Sequence, residues 1–240
     1  MATTVTDQAV RGPIRLSFFF WIAVVMALFI FSGFTLTYWR PMASGNLAPL
    51  PPIVHVHGVV FSCWMILLVV QSLLVNLRHV PLHRTLGSFG IALGTALVII
   101  GALITALFAD AFAPDSTNYY DLMYLSVSAV VGFGTLFVLA IRNTRRPDFH
   151  RRLILFATIP LLPPGINRLY QVSMSLPEVP VLATYLTMDA IVAAMLLYDW
   201  RRLNTISSAS MIGAAFVVLV QLLHIPIANS DAFAAICRVL

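Results

Sequence analysis

Residues 53–75 read IVHVHGVVFSCWMILLVVQSLLV, a stretch without a single charged side chain. A helix needs about 20 mostly apolar residues to cross the ~30 Å hydrocarbon core of a bilayer, so this stretch is long enough to span a membrane. Six other segments of the chain are of similar length and nearly as apolar. The seven predicted spans are Leu16–Tyr38, Ile53–Val75, Leu86–Ala109, Leu122–Ile141, Leu153–Tyr170, Val181–Trp200 and Ala209–Ile227.

The composition of the whole chain agrees with this prediction. Of its 240 residues, 60% are hydrophobic and 10% are charged, whereas a soluble domain carries about 25% charged residues. The sequence therefore lacks the polar surface of a soluble enzyme or of a nucleic-acid-binding domain. We expect one all-α domain over residues 1–240, a polytopic bundle of seven transmembrane helices in contact with the lipid bilayer.

The placement of positive charge predicts the orientation of the bundle. All 14 positively charged residues are arginines, and only Arg40 and Arg238 fall on one side of the predicted spans, with Arg168 inside the fifth. An excess of arginine marks cytoplasmic loops, so we expect a cytoplasmic amino terminus and an external carboxyl terminus. The net charge of +5 then reflects topology rather than affinity for nucleic acid. The arginines on the predicted cytoplasmic side are Arg11, Arg15, Arg78, Arg84, Arg142, Arg145, Arg146, Arg151, Arg152, Arg201 and Arg202.

Two of the predicted cytoplasmic turns share a pattern. Residues 78–86 read RHVPLHRTL and residues 145–153 read RRPDFHRRL, so both follow R-x4-H-R-x-L and both open a span. His83 and His150 should therefore lie near the same membrane surface. Two interpretations stay open: polar residues that start helices at a lipid interface, or facing ligands of one haem or metal, since bundle cores place side chains of facing helices around a cofactor.

A second set of polar residues lies towards the predicted external side. His57, Trp64 and Gln71 follow at heptad spacing, which indicates a polar and aromatic stripe turned towards the protein. His224 falls near the external end of the seventh span and could lie at the depth of His57. His55 points about 200° away from His57 in a regular helix, so a transition-metal site of His55, His57 and His224 needs an irregular backbone.

The fifth predicted span contains prolines and a glycine that should interrupt its helix. It also contains an arginine. Pro160, Pro163, Pro164 and Gly165 predict a helix broken in the middle of the membrane, where irregular backbone is tolerated only inside protein or beside a cavity. Arg168 follows, and an intramembrane charge is a functional candidate.

Asp189 in the sixth span is the expected partner of Arg168. Their ion pair could simply join two helices. Alternatively, Arg168 binds an anion, such as a haem propionate, a substrate carboxylate or a quinone oxygen. The residues expected around that anion are His55, His57, Tyr170, Gln221 and His224, with Gln71 and Asp189 as further candidates for binding substrate.

Several motifs between residues 50 and 170 resemble those of a known group of proteins. HxHGxxFxxW at 55–64, Gln71, HRxLG at 83–87 and RPxxHxRL at 146–153 resemble an uncharacterised family of bacterial multi-span membrane proteins over about residues 50–170. That resemblance implies a multi-pass protein of a bacterial inner (plasma) membrane and brings no activity with it.

The histidine layout is more loosely similar to that of b561-type cytochromes, in which histidines that open spans on one side ligate haem b. This similarity implies His83 and His150 as axial ligands of one haem. The fourth span has no histidine, so a second haem would need His57 or His55 together with His224.

Two classes of function follow, and whether the protein is an enzyme stays open. The first is a b-type haem or metal-binding protein in electron transfer, with a quinone or another membrane protein as partner. The second is a cofactor-free intramembrane enzyme or small transporter with its site around Arg168, Asp189 and His57, or an accessory subunit of a larger membrane complex. A retinal protein is excluded, because the sequence has no lysine to form the Schiff base.

Overall fold

A computed structural model describes residues 15–109 and 119–238, and within these ranges the chain is helical and has no strand. The first helix continues through a π-helical turn, Thr35–Trp39, into the second, and a 3-10 turn, Ile159–Leu161, separates the sixth from the seventh. The helices are α1 (Phe18–Phe34), α2 (Arg40–Ala43), α3 (Pro52–Asn76), α4 (Val80–Ala109), α5 (Tyr119–Arg142), α6 (Pro147–Thr158), α7 (Pro163–Met174), α8 (Val181–Leu203), α9 (Ser208–Leu222), α10 (His224–Ala228) and α11 (Asp231–Cys237).

The helices confirm a membrane protein but not all seven predicted spans. Five helical runs are long and apolar enough to cross a bilayer: Phe18–Ala43, α3, Val80–Leu107 in α4, α5 and α8. The pair α6 and α7 makes a sixth if it counts as one broken span. The predicted seventh span is not confirmed, because α9 has only 15 residues and a helix of that length falls short of ~30 Å of hydrocarbon.

The predicted break of the fifth span is present. The chain leaves the α-helical path at Ile159–Leu161, restarts at Pro163 and bends by 46°. Prolines explain the bend, because they lack the amide hydrogen of the helical ladder and clash with the preceding turn. Residues 159–163 are buried, so the protein itself covers the irregular backbone at this depth, as the sequence analysis required.

Close contact between backbones fixes the broken span against α1. A Cβ atom added to Gly33 of α1 would lie 2.0 Å from the carbonyl oxygen of Gly165 in α7. Only glycine permits this approach, and small residues are what lets membrane helices pack closely. On the other side, Trp64 of α3 donates a hydrogen bond from Nε1 to Oγ1 of Thr158 at 3.3 Å. The broken span therefore packs against α1 and also contacts α3 through this hydrogen bond.

The turns define two ends of the bundle, named here by their charge. The basic end carries the turns 77–79, 143–146 and 204–207, and the opposite end carries the segments that follow α2 and α7. The start of α1 belongs to the basic end, since the amide of Ser17 donates to Oδ1 of Asn76 at 2.7 Å. Arg11, which the sequence analysis assigned to this side, lies outside the described residues.

Candidate functional site

The two histidines of the repeated turns are held in the same way at the basic end. Nδ1 of His83 lies 3.3 Å from the carbonyl oxygen of Gln71 on α3, and Nδ1 of His150 lies 2.9 Å from the carbonyl oxygen of Ala140 on α5. A carbonyl oxygen only accepts hydrogen bonds, so each Nδ1 carries the proton. In the neutral imidazoles each Nε2 then keeps its lone pair.

The two histidines are not tightly enclosed, and there is open space beside His83. Both side chains are half-buried, and a charge on His83 is close enough to act on His150. One turn after His83, a Cβ atom added to Gly87 would meet only Nε2 of Gln71, at 3.9 Å. The other amide atom of Gln71, Oε1, is buried without a hydrogen-bond partner. The backbone of Gln71 therefore orients His83, and its side chain lies beside the same space.

A buried ion pair next to His150 was not anticipated. Arg152 is one of the arginines expected on the cytoplasmic side, but its side chain and that of Asp199 are only 3% and 1% exposed. Nε of Arg152 donates to the carboxylate of Asp199 at 3.0 Å, and that carboxylate also accepts from the hydroxyl of Ser210 at 2.7 Å and the amide of Ser207 at 3.2 Å. The pair joins α6, α8 and α9.

One sequence signal could have found this pair. Asp199 is an acid at the end of a span on the arginine-rich side, where a lone carboxylate is surrounded by potential partners. The pair holds the first turns of α6 against α8, and so it fixes the position of His150 two residues earlier.

Arg168 does not form the predicted ion pair with Asp189. Its guanidinium donates to the carbonyl oxygen of Pro164 at 3.0 Å and lies over the ring of Phe34, 4.6 Å from the centroid. Among the described residues no ion pair joins Arg168 to a carboxylate. Oδ1 of Asp189 is buried without a hydrogen-bond partner. The interpretation of the two residues as a lock between helices is therefore wrong.

His57 lies in the same region as Arg168. The arginine is close enough to act electrostatically on the imidazole. Nδ1 of His57 is buried without a hydrogen-bond partner, and the ring packs against Phe61 with centroids 4.0 Å apart. Trp64, the next member of the predicted stripe, is 4% exposed. The stripe of His57, Trp64 and Gln71 does turn towards the protein.

Tyr170 makes a contact with Thr187 and not with His57 or Arg168. Its hydroxyl lies 2.9 Å from Oγ1 of Thr187 on α8. The two residues line an open, mostly apolar groove of about 390 Å³ between α7 and α8. Neither His57 nor Arg168 lines that groove.

His224 has a polar group near each ring nitrogen, although the contact of Nε2 with Asp121 lacks the geometry of a hydrogen bond. Nδ1 lies 2.9 Å from the hydroxyl of Tyr185 on α8, and Nε2 lies 3.0 Å from Oδ1 of Asp121 on α5. The ring stacks on Tyr124 with centroids 4.7 Å apart and is 4% exposed. Within the described residues His224 therefore lies beside Tyr185 and Asp121 and not in a metal-holding group with His55 and His57.

The predicted metal site of His55, His57 and His224 is not formed. Within residues 15–109 and 119–238 no group of three or more histidine, cysteine or acidic side chains could hold a metal ion. Nδ1 of His55 is 2.5 Å from the hydroxyl of Tyr38 instead. The backbone of α3 is a regular helix at this point, and that is why His55 and His57 diverge.

Gln221 lines a small internal cavity. The cavity measures about 10 Å³ and lies against the break of the fifth span. Nε2 of Gln221 is buried without a hydrogen-bond partner. The other lining residues are Leu125, Ser128, Pro160, Pro163, Tyr185, Met188, Val217 and Val220.

No family model, curated protein or solved structure matches the chain. The functional argument therefore rests on the side chains described above. Of the sequence-predicted residues, His83 is close enough for its charge to act on His150, and Arg168 is close enough to act on His57. His55, His224 and Tyr170 each contact other residues instead.

Proposed function

We propose that the protein is an integral membrane electron-transfer protein that binds a b-type haem between His83 and His150. The observation that supports this most is the tethering of each Nδ1 to a backbone carbonyl. Histidines that ligate metals almost always donate their other ring nitrogen to such a group, which fixes the ring and raises the basicity of the ligating nitrogen. His83 and His150, prepared in this way at the same end of the bundle, would hold the haem.

The donor set fits this group better than a bare metal ion. Zinc takes three or four protein ligands, whereas the described residues offer no such cluster. A haem iron would need only two ligands from the protein, and His83 and His150 would supply them. When bound, it carries one electron between its ferric and ferrous states.

Other residues of this chain would orient the two histidines and bind the periphery of the haem. The carbonyls of Gln71 and Ala140 orient the two rings. Gly87 leaves space beside His83, and Arg84 and Arg146 are exposed at the same end, where guanidinium groups pair well with carboxylates such as the propionates of haem. The ion pair of Arg152 keeps α6, and with it His150, in place.

The proposal also assigns the membrane in which the protein lies and the side that its basic end faces. Since arginine-rich loops stay in the cytoplasm, the basic end faces the cytoplasm of a bacterial inner membrane. The histidine pair then lies on the cytoplasmic side, where a quinone or a second membrane protein could exchange electrons with it.

A second candidate function rests on Arg168. Within the described residues this guanidinium has no carboxylate partner, and buried polar atoms of His57 and Asp189 lack hydrogen bonds. Unsatisfied polar groups within a membrane protein mark substrate pathways. A cofactor-free enzyme or transporter that binds an anion at Arg168 would use them.

A visible spectrum of the purified protein, oxidised and then reduced with dithionite, separates the two candidates. With stoichiometric iron analysis, we expect a Soret band and sharpened reduced bands for wild type, and loss of the haem signal in His83→Ala and His150→Ala. His79→Ala is the matched control, because His79 is an exposed histidine of the same turn. A wild-type protein without a Soret band or iron, or signals that survive both substitutions, would rule out the haem.

A further inference from the structure

Three aromatic rings form a cluster at the basic end, where α1, α6 and α8 meet. Phe18 of α1 stacks on Tyr198 of α8 with ring centroids 4.2 Å apart, and Phe19 packs edge-to-face against the same tyrosine at 5.2 Å. The guanidinium of Arg151 on α6 lies 4.3 Å from the centroid of Phe19, and that of Arg202 on α8 lies 6.0 Å from the centroid of Tyr198. We call these five residues the aromatic corner.

The rings of the aromatic corner position two arginines while leaving their charges accessible. The side chain of Arg151 is 45% exposed, and Arg202 is exposed as well. The face of an aromatic ring attracts a guanidinium, and a cation that is already positioned loses less conformational freedom when it binds a ligand. The other exposed arginine on a ring at this end, among the described residues, is Arg146 over Phe149, and those two residues belong to one helix start. The aromatic corner instead joins arginines of two helices through rings that touch.

This corner of the bundle carries an excess of positive charge. Residues 15–19, 147–152 and 198–203 contain five arginines and two acids. Asp199 is buried and already bound to Arg152. Asp148 pairs with Arg151 but is 80% exposed, and exposed ion pairs are weak. Within the described residues no carboxylate pairs with Arg202, so an anion can bind here without breaking a buried interaction.

The side chains around the aromatic corner follow the order of chemical groups in a phospholipid. Trp200 is exposed beside Tyr198 on α8, and tryptophan at the end of a span marks the depth of the lipid headgroups. Further along α1, towards the interior of the membrane, Trp21, Val25 and Leu28 are exposed and apolar. The surface is therefore basic at headgroup depth and apolar where acyl chains lie.

We propose that the aromatic corner binds the headgroup of an anionic phospholipid, with the guanidinium groups of Arg151 and Arg202 on its phosphate oxygens. The planar fork of a guanidinium matches the geometry of a phosphate, and basic pockets between transmembrane helices bind acidic lipid headgroups. A zwitterionic lipid carries an ammonium group beside its phosphate, which the positive charge of this corner repels. The acyl chains of the bound lipid lie along the exposed apolar face of α1.

Native mass spectrometry of the full-length protein in a neutral detergent counts bound lipids and needs no cofactor, so failure of the haem proposal leaves it unaffected. We expect phosphatidylglycerol to bind in preference to phosphatidylcholine, and inorganic phosphate at millimolar concentration not to displace it. Arg151→Gln and Arg202→Gln should each weaken this binding by about 10-fold, because hydrogen bonds to charged groups are the strong ones. Arg145→Gln is the matched control, since Arg145 is an exposed arginine of the same end and lies outside the aromatic corner.

Substitutions of Tyr198 test the ring separately from the charge. Tyr198→Leu removes the ring beside Arg202 without changing the net charge and should weaken the binding of phosphatidylglycerol, whereas Tyr198→Phe should keep it. The Arg151 variant keeps the test valid if the leucine variant unfolds, because the ion pair that Arg151 loses is exposed. Equal binding of the two lipids, the same loss in Arg145→Gln, unchanged binding in both corner arginine variants, or displacement of the lipid by inorganic phosphate would overturn the proposal.

Discussion

At the residue scale, the account depends on which side chains are tethered and which are left free. His83 and His150 each give one nitrogen to a carbonyl, while His224 has a hydroxyl near one nitrogen and a carboxylate near the other. The sequence places all three near membrane surfaces but cannot distinguish them, because the distinction comes from Tyr185 and Asp121, which are distant in sequence. A histidine is a candidate ligand only when the fold leaves it a lone pair.

The buried pair of Arg152 and Asp199 yields a prediction at the same scale. Arg152→Gln leaves a buried carboxylate without its cation, and removal of one partner of a buried pair costs about 3–5 kcal/mol. We expect a clear drop in the midpoint of denaturant unfolding in detergent. A loss below ~1 kcal/mol would show that the carboxylate is solvated or protonated.

Arg151→Gln is the matched control for that experiment. Arg151 pairs with Asp148, but the two side chains are 45% and 80% exposed. Exposed ion pairs contribute about 0–1 kcal/mol, so the same substitution one residue earlier should leave the unfolding midpoint nearly unchanged. If both variants lost the same stability, the loss would come from the altered helix α6 and not from burial of the charge.

At the element scale, the broken span was predictable and the packing around it was not. Pro160, Pro163 and Pro164 determine the break through local chemistry that any sequence reader can apply. The contact of Gly33 with Gly165 joins residues of two distant helices, and glycine in an apolar helix does not say which partner it meets. For the same reason the predicted partner of Arg168 was wrong, since charge scarcity alone suggested Asp189.

The glycine contact predicts the effect of a single methyl group. Gly33→Ala would place Cβ 2.0 Å from the backbone oxygen of Gly165, so α1 and the broken span must separate. We expect a loss of more than ~1 kcal/mol in unfolding free energy, as overpacking typically costs 1–3 kcal/mol. Thermal aggregation in detergent should begin at a lower temperature than in wild type.

Gly58→Ala provides the comparison for that variant. Nothing lies within 4 Å of a Cβ atom added to Gly58 in α3, and alanine favours the helix over glycine by about 0.8–1 kcal/mol. This variant should be as stable as wild type or slightly more stable. If both glycine variants behaved alike, the close contact would not determine the packing of α1.

At the scale of the whole molecule, the arginines predict the orientation. Their concentration at the basic end follows the sequence pattern, and the turns of α3–α4, α5–α6 and α8–α9 lie together there. The count of seven spans was less predictable, because the last apolar stretch is divided between α9 and the short α10. Hydropathy measures how apolar a stretch is but not where its helix ends.

Cysteine labelling in intact cells tests the orientation. In a chain without Cys63 and Cys237, Ser44→Cys lies exposed at the opposite end and Thr144→Cys lies exposed at the basic end. We expect a membrane-impermeant maleimide to label position 44 from outside and position 144 only after the cells are opened. The reverse pattern would place the histidine pair on the external side.

The most direct test of the central claim is the spin state of the oxidised protein by electron paramagnetic resonance. If His83 and His150 both ligate one haem iron, the wild-type spectrum is low-spin and six-coordinate, and each single alanine variant either loses haem or becomes high-spin. His79→Ala should keep the wild-type spectrum. A high-spin wild-type spectrum, or a low-spin spectrum unchanged in both variants, would contradict the account.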